Sequence, residues 1–324
     1  MQSYYAHKTP IIIPTKMLNL PNNLIFAPLA GFSTPAVRRF FMQNGAGLAV
    51  SEMASCKAIL HGNEKTKELL IISSEEKISS VQLFGSDPKD FAQTIAHPWL
   101  AHFDIIDINM GCPVKKITSN GEGSALMADA KRAGEIVSAS VIAAKKLGKI
   151  VTVKTRLGIK NKDEILQFAP VLEEAGATMI CVHGRTAVQM YSGQADYEAI
   201  KTARKLIKKA AFCTNGDIVD KKSFETAKTT GADYFMIGRG ALMDLGLFSR
   251  LQGEKYKSQK QYILSLIDMM ESYYGGAESC VLLRKFLPYM LKGIKGAKDL
   301  RTTMYFNEDI DKLKDAIELV FGGI

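Results

Sequence analysis

The sequence predicts a (β/α)8 TIM barrel followed by a small C-terminal helical bundle. Eight short, apolar, β-rich runs recur with helical patterns between them, the count and alternation of a closed parallel barrel of about 250 residues. The runs are continuous rather than alternating, as strands covered on both faces are. After about Arg250 the strand signal stops and amphipathic helical stripes replace it.

In order, the runs are Leu24–Ala27, Leu48–Ser51, Ser80–Phe84, Ile105–Asn109, Ile150–Thr155, Met179–His183, Ala211–Thr214 and Tyr234–Ile237. Between them, Pro88 to Leu100 follows the cap signal Ser86-Asp87, and Ala128 to Leu147 ends at Gly148. Asp163 to Ala175 ends at Gly176, and Asp220 to Thr230 at Gly231. A doubly wound open sheet is the alternative. It calls for a glycine-rich first turn, which Ala27-Pro28-Leu29-Ala30-Gly31 is not.

Beyond the barrel, Ile263, Leu266, Ile267, Met270 and Tyr274 share one helical face. Leu283, Phe286, Leu287, Met290, Leu291 and Ile294 form a second stripe, and Ile310, Leu313, Ile317 and Phe321 a third. Gly253 and the polar stretch Glu254–Lys260 mark the junction, giving a barrel over 1–250 and a helical unit over 251–324. A helix from about Leu282 to Lys295, kinked at Pro288, would turn its stripe inward and Arg284, Lys285, Lys292 and Lys295 outward. Residues before Pro21 read as a short hairpin plugging the barrel bottom.

Hydrophobic residues make up 47% of the chain and charged residues 23%, a balance that supports a large core and argues against bulk disorder. The net charge of +9 favours polyanionic partners, and it is concentrated in Lys201–Lys209 and in Arg284–Arg301. Five cysteines, widely spaced and without a CxxC pair, argue against a disulfide framework and against a zinc or iron–sulfur site. A reducing, cytoplasmic setting without a metal is the expectation. Ile11–Ile13, closed by Pro14, is too short for a signal segment, and no later run is long enough to span a membrane.

In a barrel, catalytic groups stand at the C-terminal ends of strands. Strand seven ends in Asn215-Gly216-Asp217, and strand eight runs into Gly238-Arg239-Gly240. Glycines after these two strands, with an arginine among them, suit a phosphate. Strand four ends Asp107-Ile108-Asn109-Met110-Gly111-Cys112-Pro113, which holds Cys112 on a loop near Lys115 and Lys116. A loop thiol beside cations is a candidate nucleophile or proton donor, whereas Cys181 and Cys213, inside strands, read as small core residues. Lys154 and His183 occupy strand-end positions, where a cation or imidazole faces a ligand; His7, His61, His97 and His102 do not. Gln82, at the end of strand three, offers an amide to a heterocycle's polar edge. These residues describe a barrel that binds a phosphorylated, heterocyclic cofactor, a description that flavin mononucleotide meets.

At these residues the chain resembles the tRNA-dihydrouridine synthases, and among them the bacterial B-type enzymes. The most specific stretch is Asp107-Ile-Asn-Met-Gly-Cys-Pro-Val-Lys-Lys-Ile-Thr-Ser-Asn-Gly-Glu-Gly-Ser124, supported by Ala27–Gly31, Val81–Gly85, Val182–Thr186, Asn215–Asp217 and Gly238-Arg239 in the family's order. The resemblance implies an FMN enzyme reduced by NADPH, with tRNA as its partner. Pro28, Leu29 and Ala30 would line the flavin ring, and Gln82 and Lys154 would meet its polar edge. His183 would lie against it, with Asn215, Gly216, Asp217, Gly238 and Arg239 at the ribityl phosphate. Cys112 would be the general acid, and Asn109 and Arg185 would grip the uracil. Residues 1–250 would then be the FMN-binding catalytic domain and 251–324 a tRNA-binding domain, in a monomer.

Three positions depart from the family. Leu29 stands where methionine is usual, and Thr34-Pro35-Ala36-Val37-Arg38 lacks the usual aspartate and displaces the proline. Arg284-Lys285-Phe286 has phenylalanine in place of histidine. Other readings stay open here: a flavin barrel that reduces a free pyrimidine, a non-redox barrel lyase or isomerase that uses only the phosphate site, and an RNA-binding protein without catalysis. A basic helical tail favours the polymeric substrate, because a free base needs no polyanion dock.

Overall fold

The computed structural model describes residues 18–72, 76–255, 257–304 and 307–322; residues 1–17 of the expected N-terminal hairpin lie outside the described residues. Eight parallel strands close into a barrel in sequence order, and the last pairs with the first. They are β1 (Leu24–Phe26), β2 (Leu48–Ser55), β3 (Ser80–Phe84), β4 (Ile105–Met110), β5 (Ile150–Arg156), β6 (Met179–His183), β7 (Ala211–Asn215) and β8 (Tyr234–Ile237). All eight fall on the expected runs. The largest difference is in β2, which continues to Ser55 past an irregularity between Val50 and Met53 and so carries Glu52 and Met53 to the rim.

Side chains alternate along each strand. Ile25, Leu48, Val50, Ile105, Met179, Cys181, Cys213 and Met236 fill the barrel interior. Their neighbours Val81, Leu83, Ile106, Ile108, Val151, Val153, Ile180, Val182 and Phe212 face the helical ring. Each such fully buried aliphatic or aromatic side chain contributes about 1.5–3 kcal/mol, which is why the runs are apolar at nearly every position.

The expected helix signals act with small shifts. Asp87 accepts the Lys89 N–H, Asp129 the Arg132 N–H and Asp220 the Ser223 N–H, so these residues cap helices that begin one position later. The helix Pro88–Ile95 stops short of Leu100, because His97 precedes Pro98 and is held extended; a separate 3-10 turn follows over Pro98–Leu100. The long helix Ala130–Lys146 ends just before Gly148, whose φ of 68° is the left-handed conformation that closes a helix. The helix after Thr34 forms despite the altered motif, over Pro35–Gln43, with proline in its first turn. Arg38 on that helix is fully buried and ion-paired to Glu76 at 3.3 Å.

The tail is helical, as expected: Gln259–Tyr274, Gly276–Leu283, Leu287–Met290, Ala297–Met304 and Ile310–Gly322. One expectation is corrected. No single helix runs from Leu282 to Lys295; the chain breaks between Leu283 and Leu287, and Gly293 and Gly296 take φ of 81°. Pro288 has no N–H to give to the carbonyl of Arg284, so the ladder cannot pass that point. The apolar stripe is still buried, but the cations do not share an outer face. Arg284 is half-buried beside Glu308 at 3.6 Å, Lys285 is half-buried, and only Lys292 and Lys295 are exposed.

Among the described residues the tail shares its core with the barrel. Tyr262, Ile263, Leu266, Met270, Leu283 and Phe286 belong to one apolar cluster with Phe26, Phe40, Phe41 and Phe248 of the barrel side. Among the described residues no helix is long and apolar enough to cross a membrane.

Candidate active site

Strand register decides which side chains meet at the C-terminal rim. Asn109 of β4 pairs with Lys154 of β5, Arg156 of β5 with His183 of β6, and His183 with Asn215 of β7. Asn215 in turn pairs with Met236 of β8 and donates from Nδ2 to its carbonyl at 2.7 Å. The expected residues therefore follow one another around the barrel mouth.

They open on a cavity of about 430 Å³, within the range of small-molecule sites. Pro28, Leu29, Lys154, His183, Asn215, Gly216, Asp217, Gly238 and Arg239 all line it. Ala30 does not; it is exposed in the loop after β1. That loop is pinned by Ser33, whose hydroxyl donates to the Ala27 carbonyl at 2.8 Å and accepts the Leu29 N–H at 2.9 Å.

The glycines let protein groups pack closely around the cavity. Gly216 has φ of 120°, and a Cβ there would lie 3.0 Å from the His183 ring. A Cβ on Gly240 would come within 2.1 Å of the Ile218 carbonyl oxygen.

Cations surround His183. Burial first, and then Lys154, Arg156, Arg185 and Arg239, hold its imidazole well below the usual histidine range, so the ring is neutral at pH 7. Burial likewise draws the Lys154 ammonium below its ordinary value.

Arg239 faces the cavity beside Asp217, at 3.6 Å, with its guanidinium 4.5 Å from the Tyr191 ring centre. Asp217 itself is an organiser. It accepts from Arg185 at 2.6 Å and from the Ala195 N–H at 2.8 Å. Burial alone would raise its carboxyl, but these bonds and the two guanidinium groups bring it below the usual carboxylate range. Arg185 is buried and also donates to the carbonyls of Ser192 and Gly193 at 3.0 and 2.7 Å. Most of its donors are spent inside the protein, so its geometry fits a brace for Asp217 and the loop after β6 better than a grip on substrate.

Gln82, Asn109 and Cys112 form a linked group next to Lys154, outside the cavity lining. Asp107, fully buried, accepts from Thr152 and from Gln82 Nε2, both at 2.6 Å. Burial raises its carboxyl, against the pull of those two bonds and of Lys154. Gln82 Oε1 accepts from Asn109 Nδ2 at 2.8 Å, and Asn109 Oδ1 accepts the N–H of Gly111 at 3.2 Å and of Cys112 at 2.9 Å. A chain of amides thus runs from a buried carboxyl to the cysteine loop.

Cys112 is half-buried on that loop. Its carbonyl accepts the Ser124 N–H at 2.9 Å, and Arg156 Nε donates to the Gly111 carbonyl at 2.7 Å. Lys115 and Lys116 are exposed on the short helix beyond; the fixed cation at the loop is Arg156.

Several residues at or near the site carry no expectation of a place there from the sequence. Arg156 stands at a strand end in the sequence but carries no expected role. Tyr191, half-exposed on the loop after β6 with Met190 at φ 48°, has an aromatic loop position as its signal. Glu52 accepts the Gly31 N–H, and burial raises its carboxyl although Gly31, Lys285 and Arg38 oppose it. Pro288, Tyr289 and Lys292 line the cavity from the tail, and no local pattern announces that.

Comparison with known proteins gives the family. The family model for dihydrouridine synthase (Dus) matches residues 25–320. A tRNA-dihydrouridine synthase B of Vibrio cholerae is 33% identical over 318 residues, covering 94% of this chain and 97% of that protein. One of Shewanella oneidensis is 34% identical over 311 residues, covering 92% and 93%. Among solved structures, DHODH of Eimeria tenella aligns with a TM-score of 0.54 at 12% identity over 78% of this chain and 82% of that one, a likeness of fold alone. The chain belongs to the dihydrouridine synthase family, on its bacterial B-type branch, and is an enzyme of that family.

Proposed function

We propose that the protein is a tRNA-dihydrouridine synthase that holds FMN in the barrel-mouth cavity, is reduced by NADPH, and protonates the uracil from Cys112. The observation that carries this reading is the meeting of Lys154, His183, Gly216 and Arg239 on one cavity, next to a cysteine loop held by Asn109. The residues fit the group. Gly216 and Gly240 let the His183 ring and the Ile218 carbonyl pack close to the helix that Arg239 begins, Pro28 and Leu29 offer an apolar face, and Lys154 lines the cavity. Gln82, already bonded to Asp107 and Asn109, supports the site from behind rather than from the lining.

When bound, reduced flavin supplies a hydride to C6 of the uracil ring. The chain's own residues do the rest. Arg239, aligned by Asp217, would hold the phosphate, and neutral His183 lines the same cavity without adding charge. Lys154 stabilises negative charge on a ring oxygen. Cys112 gives its proton to C5; a thiol with reference pKa of about 8.5 is an effective acid near neutrality. Asn109 sets the thiol's position through the loop backbone. The target base must leave its stack to reach this depth. The exposed tail cations Lys295, Lys298 and Arg301 give residues 251–324 a role in docking tRNA. The names of the relatives, which specify tRNA, support the polymeric substrate over a free pyrimidine.

The test is direct. Purified protein should be yellow and, with NADPH and tRNA lacking dihydrouridine, should form that nucleoside, read by mass spectrometry of digested tRNA. Reduction of free uracil instead would favour the free-pyrimidine reading, and a colourless protein that takes up no FMN would end the flavin reading.

A further inference from the structure

Two contacts seat the tail on the rim of the cavity. Phe32, in the loop after β1, stands edge-on between the rings of Phe286 and Tyr289, at 4.9 and 5.6 Å. Gln259, at the start of the first tail helix, donates from Nε2 to the Met243 carbonyl at 3.1 Å and to the Met290 carbonyl at 3.2 Å. Its Oε1 accepts the Leu245 N–H at 3.3 Å. Met243 ends the short helix that Arg239 begins, so one amide ties Arg239's helix to the tail turn just before Lys292.

Lys292 is the consequence. It lines the same cavity as Arg239, and its Nζ lies 3.7 Å from the Met243 sulfur, a neutral neighbour. Arg239 and Met243 are four apart on one helix and therefore share a face. Among the described residues no carboxylate pairs with Lys292.

Lys292 adds a cation beside the helix that Arg239 begins. Arg239 is partly offset by Asp217 at 3.6 Å, and His183 is neutral. A phosphate monoester brings about −1.5 to −2 charges at neutral pH. Of the other cations lining the cavity, Arg156 is spent on the carbonyls of Gly111, Thr186 and Met190, and Lys154 stands at the end of β5 and is read above as serving the ring, which leaves Arg239 and Lys292 for such a group.

Building on the reading of the cavity as an FMN site, we propose that Lys292 is a second cation for the ligand's phosphate monoester. It is delivered by the tail, so that tail docking and retention of the phosphorylated ligand are coupled. By linkage, whatever loosens the tail turn weakens the phosphate's hold, and the phosphate in turn steadies the tail.

The experiment uses the full-length protein freed of flavin and titrated with FMN or with riboflavin, which lacks the phosphate, by quenching of flavin fluorescence. Lys292→Met should weaken FMN about tenfold, as removing a charge-assisted hydrogen bond does, and leave riboflavin within about twofold. Lys292→Arg should restore most of the FMN affinity. Gln259→Leu, which cuts the tie but not the cation, should weaken FMN in the same phosphate-dependent way. Unchanged FMN affinity in Lys292→Met, with weakened tRNA binding, would show that the cation reads an RNA phosphate and would overturn the proposal. Equal weakening of FMN and riboflavin would reduce Lys292 to packing. A wild type that binds neither flavin fails the cavity reading itself, whereas a wild type that binds FMN beside an unaffected Lys292→Met fails this inference alone.

Discussion

The carboxamide oxygen of Asn109 accepts the backbone N–H of Cys112 at 2.9 Å, while its nitrogen donates to Gln82 at 2.8 Å. One side chain therefore joins the interior of the barrel to the loop that carries the thiol. Asn109→Ala would leave the Cys112 N–H and Gln82 Oε1 without these partners, at a cost of about 1–3 kcal/mol. A lower urea midpoint is expected, with turnover falling more than FMN affinity. Turnover equal to wild type would show that the loop holds its shape without the amide.

Cys112 should matter only after the flavin is reduced. In Cys112→Ala, colour and NADPH-driven flavin reduction should persist, and dihydrouridine formation should drop at least ~10²-fold. Stopped-flow reduction and nucleoside analysis separate the two half-reactions. Near-normal product from the variant would mean that another group or water donates the proton.

Arg239→Ala should purify with most of its yellow colour gone, because the cation that Asp217 aligns toward the cavity is removed. Gly216→Ala should act in the same direction for a different reason. Its φ of 120° disfavours any side chain, and the new Cβ would press on the His183 ring. The flavin absorbance ratio of the purified variants reads both.

The neutral His183 predicts a pH effect on the flavin-free protein. Its folded pKa is depressed, so as pH falls through about 6.5 the unfolded chain takes up a proton that the folded protein refuses. Stability should be intact above that pH and decline below it, by up to about 1.4 kcal/mol per pH unit. His183→Asn should remove this part of the slope. Parallel stability curves for the two proteins between pH 7 and 5.5 would show that the imidazole is not held neutral.

The exposed tail cations should act on tRNA alone. Neutralising Lys295 and Lys298 together should raise the apparent KM for tRNA and flatten its salt dependence, by about one unit of slope for each RNA phosphate no longer neutralised. FMN affinity should not move. An unchanged salt slope would transfer the dock to the Lys201–Lys209 segment or to Lys115 and Lys116.

The sequence by itself determined the barrel, because strands covered on both faces must be apolar at nearly every position, and eight such runs between capped helices leave few ways to pack. It also placed Lys154, His183, Asn215, Gly216 and Arg239 at strand ends, which in a parallel barrel all point to one rim. Tertiary structure decided what local pattern cannot carry. The family resemblance implies that Arg185 grips the substrate, and only the fold brings Asp217, Ser192 and Gly193 around its guanidinium. Lys285 and Lys292 look like members of one basic helix, yet Pro288 cannot complete the helical ladder, and the resulting turn sends Lys285 onto Phe32 and Lys292 to the cavity. Pairings between residues more than a hundred positions apart, such as Phe32 with Phe286, depend on which surfaces the closed barrel leaves for the tail to cover. That choice is made by packing of the whole chain, and no window of sequence contains it.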